Sequence, residues 1–144
     1  MPERFTTEER SHVMRAVKSR GTISERRLAA VLKAIGIRVR EHADELPGRP
    51  DFVNDRLRLA VFLDGDFWHG RDWFEFGEAP VNNRPYWLRK FEKNASRDAR
   101  ATRLLRRHGW SVVRIWESDL LRAPEEVRRR VDRMVSSRRR RLAG

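Results

Sequence analysis

Cysteine is missing from this chain, so disulfides and thiolate metal sites are both excluded. No apolar run approaches the roughly 20 residues that a membrane span requires. The N-terminus carries no signal-peptide pattern, so the chain is expected in the cytoplasm. Neither an internal repeat nor a linker divides the 144 residues. They are therefore expected to form one domain over 1–144, with a basic tail over about 136–144.

Positive charge is what the sequence has in excess. Thirty-three Lys and Arg stand against 21 Asp and Glu, a net charge of +12. A compact domain with that surplus attracts polyanions, nucleic acid first and an anionic membrane surface second. Solubility alone is the plainer reading. Five Trp accompany the charge, however, and aromatic faces among cations suit stacked or unstacked bases. No helical pattern joins a wide apolar face to a basic stripe, which argues against the membrane.

Hydrophobic periodicity predicts the order α-α-β-β-β-α-β-α. A first helix starts near Thr7 with Val13, Met14 and Val17 on its apolar edge. A second, capped by Ser24, places Leu28, Val31, Leu32 and Ile35 on one face and stops at Gly36. Ile37 to Glu41 alternates as a strand. Asp51 to Val53 begins another, and Leu57 to Leu63 reads as a central strand buried on both faces. Gly65 to Arg84 is a long loop. Pro85 opens a long helix ending near His108, with Leu88, Phe91, Ala95, Thr102 and Leu105 inward. Trp110 to Trp116 is a strand, and Pro124 opens a last helix that frays into Arg138 to Arg141. Strands mixed with helices imply an α/β fold, one sheet covered on its faces.

Several groups of residues carry candidate chemistry. Asp51 starts one strand and Asp64 ends the next, so antiparallel pairing brings both to one sheet edge. Two carboxylates and a strand-end carbonyl there suit Mg²⁺, which takes hard oxygen ligands; alternatively Asp51 is a turn residue after Pro50. His69, in Phe67-Trp68-His69-Gly70, either takes a proton from attacking water or is an ordinary loop histidine. The rings Phe67, Trp68, Trp73, Phe74 and Phe76 form either a wedge for DNA or a private core for the loop. Along the long helix, Arg89, Lys93, Arg97, Arg100, Arg103 and Arg107 make a stripe able to track a phosphate backbone. Asp98, at the margin of the apolar stripe, either orients His69 or pairs with an arginine.

With these residues in view, the sequence resembles the very short patch repair (Vsr) endonucleases from about Arg10 to Leu121. The resemblance is carried by Met14-Arg15-Ala16-Val17 with Glu25 and by Leu46-Pro47-Gly48-Arg49-Pro50-Asp51-Phe52-Val53. It continues through Gly65, Phe67-Trp68-His69, Tyr86-Trp87, Lys93-Asn94, Arg97-Asp98, Gly109-Trp110 and Trp116-Glu117. It implies a restriction-endonuclease-like mixed β-sheet flanked by helices. The implied activity is Mg²⁺-dependent nicking 5′ of the thymine in a T:G mismatch left by deamination of 5-methylcytosine. Asp51 matches the metal-binding aspartate, His69 the general base, and Glu25 and Asp98 supporting acids. Phe67, Trp68 and Trp87 match rings that enter the DNA stack, while Met14, Arg15, Arg89, Lys93, Arg97 and Arg100 are expected to contact DNA. The family acts as a monomer beside a cytosine methyltransferase, with mismatch-repair proteins as further possible companions.

Three departures qualify the match. Where the family has Cys and His ligands for a structural zinc, this chain has Asp66, Arg71, Trp73 and Ser118 at or near those places. No structural zinc is expected; ring packing and an Asp–Arg pair substitute for it. Where the family commonly has Thr-His, this chain has Leu63-Asp64. The Leu63 carbonyl can still meet the metal, and Asp64 is the hypothesised additional ligand. The recognition loop also differs in composition, which opens the alternative of a restriction-like or modification-dependent nuclease, while the changes at Leu63 and Asp64 open that of a non-cleaving binder of distorted DNA.

Overall fold

A computed structural model describes residues 22–143. The expected first helix, with Met14 and Arg15, lies outside the described residues. Helix α1 (Ile23–Ile35) opens where the Thr22 hydroxyl accepts the Glu25 N–H at 3.1 Å. Thr22 rather than Ser24 is the cap, because it stands three residues before the N–H it satisfies, while Ser24 is buried in the first turn. Gly36 ends the helix in the left-handed region, its N–H reaching the carbonyls of Leu32 and Lys33.

Strands β1 (Arg40–Glu41), β2 (Phe52–Asn54), β3 (Leu59–Asp64) and β4 (Ser111–Trp116) form one sheet in that order. The first three pair antiparallel, and β3 pairs with β4 in parallel. Helices α2 (Arg71–Phe76) and α3 (Arg84–Arg107) cross from β3 to β4; α4 (Glu117–Arg122) and α5 (Pro124–Ala143) follow. Two of these helices were not expected. Both α2 and α4 have six residues, too few for a 3.6-residue period to register. The strand expected from Ile37 shrinks to two exposed residues at the sheet edge.

Each face of the sheet is covered, as its apolar strands require. Phe52, Leu59, Val61, Val113 and Ile115 pack against Leu28 and Leu32 of α1, Leu120 of α4, and Val127, Val131 and Val135 of α5. Val53, Ala60, Phe62 and Val112 face the other way, against Leu105 of α3. Because side chains alternate along a strand, Asp51, Asp64 and Arg114 fall on the α3 side, two residues from Val53, Phe62 and Val112 respectively. Three charged groups thus converge under one helix.

Helix α3 turns in Trp87, Phe91, Asn94, Ala101 and Leu105. The expected inward pair Leu88 and Ala95 is only partly buried, a rotation of the stripe by one position. Helix α5 continues through the expected frayed tail. Its Arg138 donates to the carbonyls of Leu57 and Gly109 at 2.8 and 2.9 Å, so this guanidinium closes the sheet end rather than remaining free in solvent. Among the described residues, no helix is long and apolar enough to cross a membrane.

Candidate active site

The site begins at the loop before β2. Gly48 has φ 75°, and a Cβ there would stand 2.8 Å from that of Ala101, so glycine lets the loop lie directly on α3. Beyond it, the His42 N–H donates to the Asp51 carbonyl at 2.9 Å and the Ala43 N–H to that of Pro50 at 3.1 Å. These bonds fix the backbone on both sides of Asp51. Its carboxylate accepts the Leu63 N–H at 2.7 Å, tying the start of β2 to the end of β3. Burial pushes the Asp51 carboxyl up to about 6; the Leu63 bond opposes this, while the charges of Glu25 and Asp64 add to it. Glu25 reaches the site from α1 and stands 3.4 Å from Nε2 of His42.

Beside this corner lies a histidine between two acids. Nδ1 of His69 is 2.5 Å from Asp98 on α3. Since a carboxylate only accepts, this bond puts the neutral ring's proton on Nδ1 and leaves Nε2 as the acceptor. Nε2 is 3.7 Å from Asp64. Burial alone would lower the proton affinity of the ring. The Asp98 bond and the charges of Asp64 and Asp98 outweigh it, and the net direction is upward. Burial likewise raises the Asp64 carboxyl, against the opposing charges of His69 and Arg114.

Asp51, Leu63, Asp64, His69 and Asp98 all line one open cleft of about 710 Å³, together with Arg97, Arg100 and Arg114. The outward residues of α3, Arg89, Lys93, Arg97, Arg100, Arg103 and Arg107, are exposed. The donor set fits a divalent cation. Ligand atoms of Asp64, His69 and Asp98 lie within 4.8 Å of one another, but Arg114 and His69 already balance those acids. Asp51 receives a neutral backbone N–H instead of a cation, so its corner gains most from a metal.

The aromatic segment divides its rings between interior and surface. Phe67, Trp68, Trp87 and Phe91 pack together, with centroids 5.0 to 6.1 Å apart in four of their contacts. Trp87 is only 4% exposed, so stacking on a base requires this cluster to open. Phe74 and Phe76, at 53% and 70%, are already exposed. Where a zinc site was expected to be lost, Arg71 donates to Ser118 at 2.8 Å and Asp119 at 3.0 Å and stands 3.6 Å from Asp66. The Ser118 N–H and hydroxyl both donate to Asp66. This polar clamp joins the His69 loop to the start of α4.

Sequence reasoning missed Arg114 and His42. A single charge inside the apolar run of β4 was the available signal for Arg114. Nothing in the spacing marked His42, whose backbone is left-handed and whose ring stands beside Glu25.

A family model described as DNA mismatch endonuclease Vsr matches residues 2–75. The chain belongs to the Vsr family of DNA endonucleases. It is 38% identical over 133 residues to the type II nicking enzyme V.NmeDIP of Neisseria meningitidis serogroup C, covering 90% of each chain. It is 34% identical over 137 residues to the type II nicking enzyme V.HpaIIP of Haemophilus parainfluenzae, covering 94% of this chain and 97% of that one. Identity to DNA mismatch endonuclease Vsr of Escherichia coli K12 is 41% over 111 residues, 77% of this chain and 70% of that one. The mixed four-stranded sheet with flanking helices accords with the restriction-endonuclease-like fold of the Vsr family.

The Asp51 environment carries a sign. A carboxyl whose folded proton affinity is raised costs no stability below its unfolded value, and the cost grows as pH rises through about 6. In chelator, Asp51→Asn is therefore expected to equal the parent near pH ~4 and exceed it near pH ~7.5, by on the order of 3 kcal/mol. Denaturant unfolding at the two pH values checks this; a difference independent of pH would contradict it.

Proposed function

We propose that this Vsr-family endonuclease nicks duplex DNA 5′ of the T in a T:G mismatch in a Mg²⁺-dependent reaction. The reading is carried by one observation: Asp51 and the His69–Asp98 pair open onto the same cleft, bordered by Arg97 and Arg100. Asp51, the Leu63 carbonyl and Asp64 are the residues that would hold Mg²⁺. When bound, the ion polarises the phosphate and lowers the proton affinity of water.

The protein's own groups supply the rest. Nε2 of His69 accepts the proton of the attacking water while Asp98 holds Nδ1–H and stabilises the imidazolium. The nick leaves a 5′-phosphate. Glu25 supports Asp51 from α1. Exposed Arg89, Lys93, Arg97 and Arg100 bind backbone phosphates. Phe67, Trp68 and Trp87 enter the stack once their cluster opens. The protein acts as a monomer on cytoplasmic DNA of the nucleoid, in company with a cytosine methyltransferase or mismatch-repair proteins.

The deciding assay uses end-labelled duplexes carrying T:G, C:G, T:A or U:G at one position in varied contexts. A single Mg²⁺-dependent nick 5′ of the mismatched T is expected. Asp51→Ala should slow it about 1,000-fold or more, since metal stabilisation of transition-state charge is worth several kcal/mol. Equal cutting of paired duplexes would point to a restriction-like enzyme, and binding without cutting to a recognition module.

The clamp of Arg71, Asp66, Ser118 and Asp119 motivates a second expectation, that the fold holds no structural zinc. Metal analysis after stripping and refolding should find none; one tightly held zinc per chain would refute it.

A further inference from the structure

Arg114 is the one cation that β4 sends to the α3 side, and its guanidinium is fixed on several sides before it meets the cleft. It lies 4.0 Å above the Phe62 ring, its register partner on β3. Nε donates to the Thr102 hydroxyl at 3.1 Å and Nη2 to the Asp98 carbonyl at 3.2 Å, both on α3. What remains is Nη1, which donates to both oxygens of Asp64 at 3.1 and 3.3 Å. The same nitrogen is 3.9 Å from the Asp98 carboxylate.

A side chain so fully engaged is poorly suited to grasping a substrate phosphate. It is well suited to setting the place of another group. The Asp64 side chain is only 9% exposed and stands beside both His69 and the Asp51 corner. Without a neighbouring cation, a buried carboxylate in this position would repel Asp51 and Asp98, leave its place, or take up a proton. Hydrogen bonds to both oxygens fix its position as well as its charge.

We propose that Arg114 is a positioning residue that acts through Asp64, holding this carboxylate beside His69 and the Asp51 corner. The proposal rests on the reading of that cleft as the hydrolytic site. Loss of Arg114 should therefore slow the chemical step without weakening DNA binding.

The test measures single-turnover nicking rate and duplex affinity on the mismatched substrate for the parent, Arg114→Lys, Arg114→Met, Asp64→Asn and the double variant Arg114→Met/Asp64→Asn. Arg114→Met should lose about 10- to 100-fold in rate, the range for residues that orient metal-site groups, with affinity unchanged. Arg114→Lys should restore part of it. The double variant should be no slower than the slower single variant, because both changes remove the same contact. It also removes the buried anion together with its cation, so it remains informative if Arg114→Met does not fold. In that case a double-variant rate equal to that of Asp64→Asn supports the proposal. Parental rate in Arg114→Met, loss confined to affinity, or additive losses in the double variant would overturn it. If the parent nicks no duplex, the functional reading itself fails; if the parent nicks, Asp51→Ala does not and Arg114→Met does so normally, only the role of Arg114 fails.

Discussion

The bond from the Leu63 N–H to the Asp51 carboxylate is the contact on which the site depends. It joins the entry of β2 to the exit of β3, and it does so where the sheet has already spent its pairing on Phe52 with Val61. A buried acid at such a corner is electrostatically costly, and one backbone N–H offsets only part of the cost. The proposed cation would offset the remaining imbalance. The same alternation of side chains that builds the two cores sends Asp64 and Arg114 to that side as well. Fold and charge distribution are therefore one arrangement.

Helix α3 then connects three tasks. Asp98 takes the His69 ring, while Asn94 one turn earlier donates to the Trp68 carbonyl at 2.8 Å and so holds the same loop by its backbone. Phe91 packs beneath Gly70, where a Cβ would come within 2.6 Å of the ring. The opposite face presents the arginine stripe. In the proposed function, a helix that carries the histidine's partner, the loop's support and the cations would couple DNA docking to the geometry of His69. The Arg71 clamp secures the far end of the loop.

Much of this was readable in the residues themselves. Asp51 and Asp64 were expected at one edge on the condition that their strands pair antiparallel, and they do. Asp98 was left between two roles, orienting His69 or pairing with an arginine; its carboxylate bonds His69 and also approaches Arg114. Wedge and private core were likewise both open for the ring-rich loop. Phe67 and Trp68 pack inward while Phe74 and Phe76 remain exposed. What escaped was non-local. Arg114 meets Asp64 across a parallel register that sequence spacing does not encode, and the Thr22 cap and the two six-residue helices are too local or too short for periodicity.

The central claim, that the Asp51–Leu63 corner is where a divalent cation binds, is open to direct measurement. Mn²⁺ at substoichiometric amounts broadens backbone amide resonances in proportion to their closeness to the ion. The account predicts broadening centred on Asp51, Leu63 and Asp64, and its loss in Asp51→Asn. Broadening centred elsewhere, or unchanged by that substitution, would contradict it.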